Sequence, residues 1–106
     1  MSETRFGLSA EVIASIQDVF AAYPEVQEVI LYGSRAKGRY KVGSDIDLTI
    51  KGEAVDFDIL SNISRELYDL PIPYTIDLSI FSNIDNQDLR EHIERVGIPF
   101  FKREEG

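Results

Sequence analysis

The sequence predicts a small α/β (α+β) fold, a short mixed sheet covered by helices on one face. Three observations carry this. Two segments, DIDLTIK at 45–51 and YTIDLSIF at 74–81, alternate polar and apolar residues with the period of two that marks a half-buried strand. Three other segments repeat apolar residues at helical spacing. The chain has 106 residues, 43% hydrophobic and 28% charged, the size and composition of one globular domain.

Residues 1–8 read as a loose terminus ahead of that single domain. Ser9 is a suitable helix N-cap, and Val12, Ile13, Ile16, Val19 and Phe20 then form one apolar face up to Tyr23-Pro24. Val26 to Tyr32 is a short apolar run and reads as a buried strand, closed by Gly33-Ser34. Residues 35–44 are rich in glycine and basic side chains, and predict a helical turn running into a loop. The DIDLTIK strand follows and Gly52 ends it. Ile59, Leu60, Ile63 and Leu67 give a second helix over Phe57–Tyr68, punctuated by Pro71 and Pro73. After the YTIDLSIF strand, Leu89, Ile93 and Val96 mark a third helix over Asn86–Val96. The tail, IPFFKREEG, is expected to pack its Phe pair and then fray.

Composition removes several classes of function. With no cysteine there is neither a disulfide framework nor a thiolate metal site, and the expected location is the cytoplasm. The N-terminus lacks an apolar run of signal-peptide length, and no stretch approaches the ~20 apolar residues of a membrane span. The net charge is −8, from 11 basic and 19 acidic residues. Such a chain is repelled by a nucleic-acid backbone unless its cations are concentrated. Arg35, Lys37, Arg39 and Lys41 are concentrated, within seven residues, but the patch suits one triphosphate better than a duplex.

Strand parity then sorts the acidic residues. Side chains two apart on a strand share a face. Ile46, Leu48 and Ile50 therefore oppose Asp45, Asp47 and Thr49, while Ile76, Leu78 and Ile80 oppose Thr75, Asp77 and Ser79. If the apolar stripes meet the helices, Asp45, Asp47 and Asp77 project together from the uncovered side. Three converging carboxylates repel one another unless a cation lies between them. Hard cations such as magnesium take oxygen ligands, commonly a few carboxylates with phosphate oxygens and water. Gly33-Ser34, at a strand end, lets backbone amides and a hydroxyl approach a phosphate closely. Each feature alone has a bland reading, a turn for Gly-Ser and a solvated strand edge for Asp-x-Asp; the combination and its spacing are what point to nucleotide chemistry.

The string GSRAKGRYKVGSDIDL resembles the nucleotidyltransferase motif of the DNA polymerase beta-like superfamily, Gly-Ser followed after ten residues by Asp-x-Asp. More narrowly, the chain is similar to the minimal nucleotidyltransferases of prokaryotes along nearly its whole length. The resemblance implies a polymerase beta palm-like fold with Gly33 and Ser34 on the β- and γ-phosphates of ATP or another nucleoside triphosphate. It implies Asp45 and Asp47 as ligands of two magnesium ions, and Asp77 as completing the catalytic metal site and helping to deprotonate an acceptor hydroxyl. The implied reaction is in-line attack on the α-phosphate with loss of pyrophosphate. It also implies a separate helical partner, of the HEPN or substrate-binding type, since little of the chain remains to bind an acceptor. In toxin–antitoxin pairs of this kind the transferase is the antitoxin and modifies a tyrosine of its HEPN partner.

Arg35 and Lys37 are candidate triphosphate contacts, equally readable as a solvated loop. Arg39, Lys41 and the single histidine, His92, carry no assigned role. Two other functions stay open on the residues alone: a non-catalytic module that neutralises or scaffolds a helical partner, and a transferase acting on a small molecule.

Overall fold

The computed structural model describes residues 4–41 and 43–103. The chain runs β1 (Thr4–Arg5), β2 (Leu8–Ser9), α1 (Ala10–Ala21), β3 (Glu28–Tyr32), α2 (Ser34–Lys37), β4 (Ile46–Lys51), α3 (Phe57–Tyr68), β5 (Ile76–Ile80), α4 (Gln87–Val96) and β6 (Ile98–Lys102), with a 3-10 turn at Phe81–Asn83. The three long helices begin at side-chain caps. Ser9 accepts from the Val12 amide at 3.2 Å, Asp56 from Ile59 at 2.9 Å and Asn86 from Leu89 at 3.0 Å. Each cap satisfies a first-turn donor that has no partner within its helix.

β1 and β2 form a small antiparallel hairpin, and the other four strands make one mixed sheet in the order β5-β4-β3-β6. β3 is antiparallel to both β4 and β6, while β4 and β5 are parallel and joined through α3. Val29, Leu31, Ile46, Leu48 and Ile50 point to one face and pack with Ile13, Ile16 and Phe20 of α1 and Ile63 and Leu67 of α3. Ile46, Leu48, Ile50, Ile16 and Ile63 are completely buried. This is the helix-covered face expected from the alternation.

Three features differ from the sequence reading. The opposite face is not bare: Ile30 and Tyr32 meet Phe81 and Ile93, so α4 covers the β3 side of it. Tyr32 and Ile30 supply the apolar patch because β3 is buried on both faces, which a continuous apolar run allows and an alternating one does not. The opening residues are also not loose where described. Residues 4–9 are the β1–β2 hairpin, and Leu8 is completely buried in the main core; residues 1–3 lie outside the described residues. The tail gains a strand, with Phe100 buried in the main core and β6 paired to β3. No described helix is long and apolar enough to cross a membrane.

Candidate active site

β4 and β5 run parallel in a register that sets Asp47 beside Asp77 and Thr49 beside Ser79. In-register neighbours on adjacent strands share a face, so both pairs lie opposite the Ile46-Leu48-Ile50 stripe, as parity requires. The Thr49–Ser79 pair is closed by hydrogen bonds: Ser79 Oγ donates to Thr49 Oγ1 at 2.9 Å, and Thr49 Oγ1 donates to the Ser79 carbonyl at 3.4 Å. The Asp47–Asp77 pair has no such closure, since two ionised carboxylates offer only acceptors. Asp45 is exposed and lies one residue before β4 begins. Ile46 donates its amide to the Thr75 carbonyl at 2.9 Å, which ties the start of β4 to the approach of β5.

Gly33 brings the phosphate-loop candidate to the same place. It caps α2 at φ 76° and ψ −153°, a region open essentially to glycine alone. A side chain there would fall on the carboxylate of Asp47. Tyr32, the preceding residue, is directly opposite Asp47 in the antiparallel register of β3 and β4. Gly33, Asp47 and Asp77 are thus assembled by strand pairing, with Ser34 as the first residue of α2.

The electrostatics follow from this crowding. Burial raises the Asp47 carboxyl above its ordinary value, and the charges of Asp77 and then Asp45 raise it further, while Arg35 acts the other way. Burial also raises the Tyr32 phenol, with Asp77 and Asp47 adding to it. Among the described residues, no three acidic, histidine or cysteine side chains stand in an arrangement that holds a metal ion by itself. Magnesium does not require one, because it keeps waters and is typically held by one or two carboxylates together with substrate phosphates. The donor set fits such an ion: Asp47 and Asp77 are adjacent, Asp45 is near enough to act on Asp47, and all three offer hard oxygen ligands.

The basic candidates separate. Arg35 is only 3% exposed, and its guanidinium donates to the Ser44 carbonyl (2.8 and 3.2 Å) and the Phe6 carbonyl (2.7 Å). It is held inside the protein, so the sequence reading of it as a triphosphate contact loses its support. Lys37, Arg39 and Lys41 are exposed. His92, which carried no assignment, reaches the rim of this face: its ring meets Tyr32 edge-on at 6.5 Å between centroids. Burial lowers its imidazole below the ordinary range, and the charges of Lys37 and Arg95 lower it further. A histidine one turn beyond Leu89 gives no sequence signal of this neighbourhood, because Tyr32 lies sixty residues before it.

A mixed sheet that presents paired carboxylates beside a glycine-opened loop is the arrangement expected of enzymes that transfer nucleotidyl groups. The family described as polymerase beta, nucleotidyltransferase matches residues 14–106, and the chain belongs to that family. The probable protein adenylyltransferase MntA of Haemophilus influenzae is 26% identical over 104 residues, covering 97% of this chain and 90% of that protein. A toxin–antitoxin structure with AMP-PNP superposes with a TM-score of 0.70 at 18% identity, covering 87% of this chain and 74% of the other. A Shewanella oneidensis complex of a tri-AMPylated HEPN toxin with MNT antitoxin gives 0.64 at 16% identity, covering 88% and 71%. At these identities the solved structures share the fold.

Proposed function

We propose that the chain is a magnesium-dependent adenylyltransferase that moves AMP from ATP to a hydroxyl of a protein partner, a tyrosine on a helical HEPN toxin, and so serves as the antitoxin. The observation that carries the reading is the placement of Asp47, in register with Asp77 and packed against the bare Cα of Gly33. One carboxylate thereby adjoins both the loop suited to the β- and γ-phosphates and the edge strand from which an acceptor can approach. The 26%-identical MntA relative and the AMPylated toxin complex of the same fold support adenylyl transfer and a HEPN acceptor.

In this reading Gly33 and Ser34 hold the terminal phosphates through backbone amides and the Ser34 hydroxyl. Asp45, Asp47 and Asp77 would hold two magnesium ions, which when bound neutralise the triphosphate and make the acceptor hydroxyl more acidic. Asp77 is exposed on the edge strand β5 and takes up the acceptor proton. The acceptor oxygen bonds to the α-phosphorus, the bond from that phosphorus to the bridging oxygen breaks, and pyrophosphate leaves with the electron pair. Lys37, exposed one turn beyond Ser34, is a further contact for the leaving phosphates. The net charge of −8 favours a protein acceptor over a nucleic-acid one. The reaction belongs in the cytoplasm, where ATP and magnesium are supplied.

The test is to incubate the chain with labelled ATP, magnesium and a HEPN protein of its own source. Label should enter a tyrosine of that protein. Undiminished labelling by the Asp45→Ala/Asp47→Ala variant would sink the reading, and a chain that binds but never labels its partner is a neutralising module instead.

A further inference from the structure

Arg35 has more to do than fill space. Its guanidinium lies between the rings of Tyr40 and Tyr74, 5.3 and 5.1 Å from their centroids. Nε and Nη2 both donate to the Ser44 carbonyl, one residue before Asp45, and Nη1 donates to Phe6 in the turn of the N-terminal hairpin. Tyr74 directly precedes Thr75, whose carbonyl receives the Ile46 amide. One cation on the phosphate-loop helix therefore touches the hairpin, the entry to β4 and the approach to β5.

The hairpin turn is itself held from outside. Phe6 and Gly7 both take positive φ, 58° and 74°, as the two central residues of a tight hairpin turn. Phenylalanine has no local preference for that region, where Asn or Gly is usual. Its carbonyl is taken by Arg35, and its ring lies 6.4 Å from that of Phe100. A side chain on Gly7 would run into the Tyr40 ring and stand 2.9 Å from Arg35 Nη1. The hairpin lies ahead of the family match, which begins at residue 14, so nothing in the shared motif accounts for it.

We propose that Arg35 is a positioning residue through which the N-terminal hairpin clamps the Ser44–Asp47 segment against the phosphate loop, setting the metal carboxylates in place before any ion binds. Strain at Phe6 is kept because the clamp needs its carbonyl at that spot. The burial of Arg35 and the direction of its three donors, all onto main-chain carbonyls, assign it to this work rather than to a phosphate. The metal half of the proposal rests on the nucleotidyltransferase reading above; the clamp does not.

Two variants test it in the full chain: Arg35→Lys, which keeps the charge but not the fork, and Gly7→Ala, which keeps Arg35 but drives a side chain into the Tyr40 ring and against Arg35 Nη1. Amide hydrogen exchange of residues 44–47 should quicken in both, with Ile16 and Leu48 still protected. The magnesium needed for half-saturation with a non-hydrolysable ATP analogue should rise about 10–100-fold, the usual effect of losing a residue that orients a metal ligand. Affinity for the metal-free analogue should hardly change. Unaltered exchange at residues 44–47 in both variants overturns the clamp. So does loss of metal-free analogue affinity in Arg35→Lys with exchange unaltered, which makes Arg35 a phosphate ligand, and so does loss of core protection in both, which makes it a folding element only. Exchange needs neither ion nor nucleotide; if the unaltered chain binds no nucleotide, it is the functional reading that falls.

Discussion

Asp47 places its carboxylate where a side chain on Gly33 would have to stand. The two residues are fourteen apart in the chain and are joined through the antiparallel pairing of Tyr32 with Asp47. Gly33→Ala therefore meets two penalties together, a collision with Asp47 and a backbone at φ 76° and ψ −153° that costs a non-glycine residue about 1–3 kcal/mol. We expect thermal unfolding several degrees lower and no measurable binding of an ATP analogue with magnesium. Calorimetric titration that finds ordinary affinity in this variant would remove Gly33 from the site.

Asp47 also sets a pH dependence. Its folded-state carboxyl is raised by burial and by Asp77 and Asp45, so between the ordinary value of 3.8 and the raised one the folded protein binds more protons than the unfolded chain. Stability from this group is therefore present at acid pH, falls as pH rises through that window, and stays lower above it. Magnesium should raise the melting temperature above the window and have little effect below it. Asp47→Asn should flatten the metal-free profile and abolish the magnesium shift. Melting curves against pH, with a chelator and with magnesium, decide both points.

Thr49 of β4 is completely buried and is joined by hydrogen bonds to Ser79 of β5. Thr49→Val keeps the shape but leaves the Ser79 hydroxyl without its acceptor, a loss of about 1–3 kcal/mol. Because the pair is next in register to Asp47–Asp77, nucleotidyl transfer should fall as well. A Thr49→Val protein as stable as the parent in urea would mean that the pair does not hold the strands.

His92 responds in the opposite sense to Asp47. Burial, with Lys37 and Arg95, lowers its folded-state pKa below 6.5, so the unfolded chain binds the proton more readily. Its contribution is complete above 6.5 and is lost as pH falls from there toward the lowered value. His92→Gln should remove that loss, leaving the variant less sensitive than the parent as pH falls below 6.5. Parallel melting curves for the two proteins check it.

The site's carboxylates were legible because a strand is a local object: in DIDLTI and YTIDLSI the period of two assigns Asp47 and Asp77 to one face whatever the rest of the chain does. Asp45 shows the limit of that argument, since β4 begins one residue later and its position comes from the loop that Arg35 holds. Helix starts at Ser9, Asp56 and Asn86 involve contacts within three residues, and that is within the reach of sequence patterns.

What the sequence determined by itself was therefore the common face of Asp47 and Asp77 and, through the spacing of Gly33-Ser34 to Asp45, the family. What the tertiary structure alone decided was which groups stand around them. The guanidinium of Arg35 turns inward because its acceptors, Phe6 and Ser44, lie 29 and 9 residues away. α4 lies over Tyr32 because β3 is apolar on both faces, and a residue at 4–9 becomes core or turn only once α1 and β6 provide a surface for it. Those outcomes depend on which distant surfaces complete one another's burial and hydrogen bonding, and no local period encodes that.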